Sequence, residues 1–337
     1  MWGPWAAGAS IDSAALSCIL NKNNRRPLQA GGRTGKCGDQ VGCNLRPGYR
    51  QPSYLRPGRL EEAVAALAAG RTTVLAGGTD VYPARVGRPA QDDILDITAL
   101  AGLRGIDESS DEATGGGWRL GALTTWSDVL RKPLPPCFDA LKLAAREVGG
   151  VQIQNAGTLA GNLCNASPAA DGVPPLLALE AEVELAAQGG RRRLALDDFI
   201  LGNRKTARRP DELVTAILVP KVAETARSTF LKLGARKYLV ISIAMVAVLI
   251  DVDELGAVTT ARVAVGSCAA KAQRLPDVEA ALTGQAFDED LLPRIGPEQL
   301  GPLSPIDDIR ATADYRREAA AVLIRRCVEA LLRQAGA

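Results

Sequence analysis

Residues 151–175, VQIQNAGTLAGNLCNASPAADGVPP, decide how the chain is read. Gly157, Gly161 and the asparagine-rich interior interrupt any 3.6-residue period. Small residues also outnumber β-branched ones, so neither a helix nor an ordinary strand is expected. Gly157, Ala160 and Gly161 leave the amides of a tight loop uncovered, and such amides converge readily on a phosphate. Around them Thr158 and Ser167 offer hydroxyls, Asn162 and Asn165 offer amides, and Asp171 offers a carboxylate suited to ribose hydroxyls. The plain alternative is a polar turn that opens a helix.

A second loop of this kind lies upstream. Residues 60–69, LEEAVAALAA, favour a short helix that Gly70 stops. A β-branched strand over 72–76 then runs straight into Gly77-Gly78-Thr79-Asp80, again a backbone able to close on phosphate oxygens. Neither a Walker loop nor a GxGxxG fingerprint fits its spacing. Two such loops carry more weight than either alone.

The 337 residues suffice for two or three domains, and 47% hydrophobic with 23% charged residues is the balance of a globular chain. A net charge of +2 gives no reason to expect nucleic acid as a partner. The longest apolar run, 241–250, is too short to span a bilayer and reads as a buried strand. No basic patch followed by a long apolar segment opens the chain, and the seven cysteines are scattered. A reduced, cytoplasmic setting is therefore expected. The absence of histidine removes imidazole catalysis, His-based serine or cysteine hydrolysis and most zinc sites. Any enzymatic chemistry would be borrowed from a cofactor.

Residues 1–51 read as a poorly ordered extension: the first 50 hold eight glycines and no sustained hydrophobic period. Cys37 and Cys43 are too widely spaced for a ferredoxin-like cluster. Strands are expected over 92–98, 103–106, 118–123, 182–187, 193–196 and 211–220, the fourth and fifth joined through Gln188-Gly189-Gly190. Thr124 or Thr125 caps a helix holding Asp128 in its first turn, and another helix covers 138–148. From about residue 226, strands over 230–233, 245–252 and 258–267 suggest a small antiparallel sheet. Helical segments follow near 277–282 and 291, and a last helix covers 314–334.

VLAGGTDV at 74–81, TLAGNLCNASPAAD at 158–171, and the stretch from Leu196 through GNRKTARRPDELVTAILVP resemble the FAD-binding subunit of molybdenum hydroxylases, with xanthine dehydrogenase the nearest type. FLKLGARKYLVIS, GSCAAKAQRL and DDIRATADYRREAAAVLIRR extend the likeness over roughly residues 52–334. The resemblance implies an α+β fold: a two-lobed FAD-binding domain of the vanillyl-alcohol-oxidase (PCMH) type over 52–222. A C-terminal domain over 223–337 follows, with a three-stranded antiparallel sheet plus helices.

It also implies a set of FAD contacts. Val74, Leu75, Ala76, Gly77, Gly78, Thr79, Asp80 and Val81 would wrap the pyrophosphate. Thr158, Leu159, Ala160, Gly161 and Asn162 would hold its other side and the ribityl chain, with Asn165 nearby. Asp171 would bind on the adenosine side, and Val214 and Lys232 would line the flavin or adenine pocket. Val148 stands near where animal relatives cover the flavin with an aromatic. Physically, Asp80 suits a loop-shaping acceptor better than a phosphate ligand, because its charge would repel.

The function implied is electron transfer. A molybdenum-cofactor partner oxidises a purine, a 2Fe-2S subunit or domain relays the electrons, and FAD passes hydride to NAD+ or electrons to oxygen. Carbon monoxide, aldehyde or nicotinate dehydrogenase relatives are the alternatives within the family. From another class, a nucleotide-binding assembly module without redox work remains. The basic run Arg204, Lys205, Arg208 and Arg209 reads as a solvated loop or as a steering patch for an anionic nucleotide.

Overall fold

In the computed structural model, residues 52–87, 92–109 and 116–335 are described, so the extension expected over 1–51 lies outside them. Residues 50–337 form one compact unit. The first lobe is a small parallel sheet of β1 (Tyr54–Leu55), β2 (Thr72–Leu75) and β3 (Asp93–Asp96) in the order β1-β3-β2. Helix α1 (Leu60–Ala68) buries Ala63, Val64 and Leu67 in a core shared with Leu95 and Ile97. Those positions repeat at helical spacing, so one alanine-leucine stripe suffices to dock it.

The second lobe is antiparallel. Strands β4 (Ile106–Ser109) and β5 (Gly117–Gly121) precede helices α2 (Trp126–Arg131), α3 (Asp139–Glu147), α4 (Val151–Ala156), α5 (Leu159–Asn165) and α6 (Val173–Ala178). Then come β6 (Glu182–Ala187), β7 (Gly190–Ala195), the single turn α7 (Leu196–Phe199), β8 (Ile200–Gly202), β9 (Lys205–Thr206) and β10 (Leu213–Pro220). The main sheet runs β4-β5-β10-β6-β7, and β8 with β9 forms a separate hairpin. Thr125, rather than Thr124, caps α2: its hydroxyl accepts from the Asp128 amide while the Asp128 carboxylate accepts from the Thr125 amide.

Residues 151–175 correct the reading of their sequence. They hold three short helices, α4, α5 and the start of α6, rather than one irregular loop. Six or seven residues are fewer than two turns, so no 3.6-residue period accumulates. Gly157 is the junction between two helices, and Gly161 lies inside α5 with its amide bonded to the Thr158 hydroxyl at 3.0 Å. The expected strand over 103–106 also shifts, since 101–103 is a 3-10 turn and the strand is Ile106–Ser109.

Strands β11 (Arg227–Leu233), β12 (Ala244–Val252) and β13 (Val258–Gly266) make the antiparallel sheet expected at the C-terminal end, and the two-residue β14 (Gln273–Arg274) extends its edge. Helices α8 (Pro276–Leu282) and α9 (Ala313–Ala335) follow. Alternation on β12 explains why its sequence is apolar from Ala244 to Ile250. Met245, Ala247 and Leu249 join the core of the second lobe, while Val246, Val248 and Ile250 pack with Ile324 and Val328 of α9. Over that stretch both faces are covered, and no polar position is left to show.

Candidate functional site

The glycine loop after β2 and the α4–α5 junction face each other across a cleft of about 620 Å³. That volume is in the range of small-molecule and cofactor pockets. The approach of the two loops is close because both lack side chains there. A Cβ on Gly77 would stand 1.9 Å from the Ala156 carbonyl oxygen and 3.0 Å from the Gly157 Cα. Gly78 has φ +71°, and its Cβ would meet the Tyr82 ring at 2.7 Å. Any larger residue at Gly77 would push the loops apart.

Thr158 caps α5, and its hydroxyl accepts from the Gly161 amide. The cap also locks the junction to α2, since the Leu159 amide donates to Thr124 O at 3.0 Å and the Trp126 amide to Gly157 O at 3.3 Å. Trp126 is buried, and its indole forms part of the cleft wall. Asn162 lines the cleft, and its Oδ1 is buried with no protein partner among the described residues. A buried acceptor left in that state requires a donor, and a ribityl or ribose hydroxyl is one.

Asp80 Oδ1 accepts from Asn165 Nδ2 at 2.9 Å, which leaves the aspartate shaping the mouth of the cleft. Asn165 Oδ1 in turn accepts from the Arg204 guanidinium. Arg208 also lines the cleft and donates to Glu212 O at 2.7 Å. Among the described residues that line the cleft, Asp80 is the only carboxylate, against two guanidinium groups, a balance that favours a dianionic diphosphate.

The two glycine segments bring most of the anticipated residues together. Val74, Ala76, Gly77, Gly78, Thr79, Asp80 and Val81 line one side. Thr158, Ala160, Gly161, Asn162 and Asn165 line the other, and Val148 and Val214 complete the wall. Four residues stand elsewhere. Leu75 is buried, and Leu159 points into the second lobe's core, as alternation along a strand and rotation along a helix require. Asp171 and Lys232 do not line the cleft. Lys232 Nζ lies 2.6 Å from Asp171 Oδ2, and Ser242 Oγ donates to Asp171 Oδ1 at 2.6 Å. Both carboxylate oxygens thus have partners within the protein. Burial pushes the Asp171 carboxyl up from its ordinary range, and the Lys232 ammonium and Ser242 hydroxyl pull it back.

Sequence reasoning missed Trp126, Ile153, Cys164 and Ile97, which also line the cleft. Trp126 directly follows a capping threonine and carried a usable signal. Ile97 falls in the strand expected over 92–98 and carried no separate signal.

The glycine cradle, the orphaned Asn162 oxygen and the cationic balance all fit FAD, a dinucleotide with a diphosphate and two polyhydroxylated arms. Comparison with known proteins agrees. Residues 48–222 match the family described as FAD binding domain in molybdopterin dehydrogenase, and residues 229–331 match the CO dehydrogenase flavoprotein C-terminal domain. The nicotine 6-hydroxylase medium subunit of Paenarthrobacter nicotinovorans is 30% identical over 82% of this chain and 95% of its own length. A xanthine dehydrogenase FAD-binding subunit assigned in Escherichia coli K12 is 29% identical over 84% of this chain and 97% of its own. A solved carbon monoxide dehydrogenase of Hydrogenophaga pseudoflava superposes with a TM-score of 0.73 at 29% identity, covering 83% of this chain and 96% of that one. The chain belongs to the FAD-binding subunits of the molybdenum hydroxylase family.

Proposed function

We propose that this chain is the electron-transfer subunit of a xanthine dehydrogenase-like hydroxylase. A molybdenum-cofactor subunit would draw electrons from a purine, a 2Fe-2S subunit or domain would relay them, and NAD+ would receive them as hydride. The observation that carries the proposal is the cleft: two glycine loops on separate elements converge in it, and it offers no histidine and one carboxylate, already bridged. A protein site so poor in acids and bases suits chemistry supplied by a bound isoalloxazine, which transfers hydride without a side-chain proton donor. The chain's part is to bind and orient. Gly77, Gly78 and Thr79 approach the diphosphate, Asn162 accepts from a hydroxyl, and Trp126, Val148 and Val214 exclude water from the ring systems.

The division into an FAD-binding domain over 52–222 and a C-terminal domain over 223–337 belongs to the same reading. So does a cytoplasmic location, supported by four free cysteines among the described residues. No helix among the described residues is long and apolar enough to cross a membrane.

The test has two stages. The purified chain is examined for a flavin spectrum, and the released cofactor is identified. The complete complex is then mixed anaerobically with xanthine, nicotine, an aldehyde or carbon monoxide, and flavin bleaching is followed before NAD+ or oxygen is added. Bleaching by xanthine and formation of NADH are expected. Bleaching by another substrate alone would move the chain to a related hydroxylase. Failure to take up FAD would leave a nucleotide-binding assembly module.

A further inference from the structure

The hairpin of β8 and β9 turns through Asn203 and Arg204, with Gly202 opposite Lys205. Arg204 has φ +58°, a left-handed conformation at the second residue of a two-residue turn, where glycine is the favoured choice. Two contacts hold this residue to the end of α5. Its amide donates to the carbonyl of Ala166, the left-handed cap of that helix, at 2.8 Å. Its guanidinium donates to Asn165 Oδ1. Asn165 Nδ2 donates in turn to Asp80 Oδ1 at 2.9 Å, and Asp80 closes the glycine segment 77–80. Backbone and side chain of Arg204 are therefore both fixed, and its guanidinium stands one amide's width from that segment.

An amide side chain has a donor end and an acceptor end. With Nδ2 turned to Asp80, Asn165 presents Oδ1 to Arg204. Carboxylate and guanidinium are thus held near each other without pairing, and a direct pair would have neutralised both. Arg204 lines the cleft, and no carboxylate pairs with it among the described residues. Arg208, the other guanidinium of the cleft, differs: its Nη1 is committed to Arg209 O at 3.2 Å and Glu212 O at 2.7 Å. A dianion seated on segment 77–80 would meet the Asp80 carboxylate at the end of that segment. A guanidinium one amide away offsets this repulsion and offers paired donors suited to phosphoryl oxygens.

We propose that Arg204 is a cofactor-binding residue for the diphosphate of FAD at segment 77–80, and that Asn165 is the residue positioning it from Asp80. The inference rests on the FAD reading of the cleft. The contact is to the group that FAD shares with ADP, so it acts equally on both. Arg204 is exposed, so its attraction for the diphosphate is screened by solvent and weakens as salt rises.

The decisive variant is Arg204→Gly, because glycine suits the turn and removes only the side chain. FAD, ADP and adenosine are titrated into the cofactor-stripped full-length chain at low and high salt, and thermal unfolding of that chain is recorded. The stripped variant is expected to unfold no lower than the parent. FAD and ADP should each lose about tenfold in affinity at low salt and less at high salt, while adenosine binds as it does to the parent. Arg204→Lys should recover part of the loss. Arg204→Asn, which also tolerates the turn, carries the same comparison if the glycine variant does not fold. Asn165→Ala should weaken FAD binding in the parent but add little in the Arg204→Gly background, because its effect passes through the guanidinium. Equal further loss in both backgrounds would overturn the positioning role of Asn165. A loss confined to FAD, or one that salt does not change, would overturn the diphosphate contact, as would unchanged affinity for FAD and ADP. If the parent chain itself took up no FAD, the FAD reading would fall, and with it the proposal.

Discussion

The ammonium of Lys232 stands 2.6 Å from the carboxylate of Asp171, with the two side chains only 5% and 8% exposed. Lys232 belongs to β11 and Asp171 to the segment just before α6, so a buried ion pair stitches the C-terminal sheet to the second lobe. Removing one partner leaves the other charged, desolvated and unpaired. Lys232→Met or Asp171→Asn should each cost about 3–5 kcal/mol in urea unfolding, whereas the double variant should cost markedly less. Equal losses for single and double variants would show that the pair is not coupled.

Gly77 and the Ala156 carbonyl leave no room for a methyl group between the two glycine segments. Gly77→Ala should therefore weaken FAD binding by at least tenfold in a flavin-fluorescence titration. Gly102, whose Cβ would meet nothing within 4 Å, provides the control: Gly102→Ala should bind FAD as the parent does.

Thr158 satisfies the Gly161 amide and sets the start of α5. Thr158→Val keeps the shape but removes the acceptor, with an expected loss of about 1 kcal/mol in stability. Because the same residue lines the cleft, its FAD affinity should fall too. Thr158→Ser should restore both.

Arg316 is buried, with its guanidinium donating to Ile243 O at 2.6 Å and to Asp308 Oδ1 at 2.7 Å. The backbone amide of Arg310, then the Arg310 and Arg316 side chains, hold the Asp308 carboxyl down at about 2. A carboxylate with a depressed native pKa stabilises the fold above its ordinary value of 3.8, and that contribution is lost as pH falls towards 2. Comparing unfolding of the parent and Asp308→Asn across this window should show a stability gap above pH 4 that closes as pH falls. A gap that does not vary with pH would assign the effect to packing instead.

The phosphate-type loops were legible because glycine pairs have local causes. Gly77 is required where two backbones approach this closely, and Gly78 by its left-handed φ beside the Tyr82 ring, so each requirement is written at its own position. The strands of the C-terminal sheet were legible for a similar reason, since β-branched runs bounded by turn residues report local preference. The helices α4 and α5 were not, because each is shorter than two turns and owes its existence to caps and neighbours rather than to a repeating face. Asp171 and Lys232 illustrate the same limit. Nothing local in the sequence announces that a lysine from 61 positions away lies on the Asp171 carboxylate.

By itself, the sequence determined the family, the cofactor and the two glycine segments, because those depend on residue types at fixed local spacings. Tertiary structure alone decided which residues share the cleft, how Asn165 links Asp80 to Arg204, and which charges neutralise each other in the interior. These are contacts between segments far apart in the chain, and no local preference encodes them.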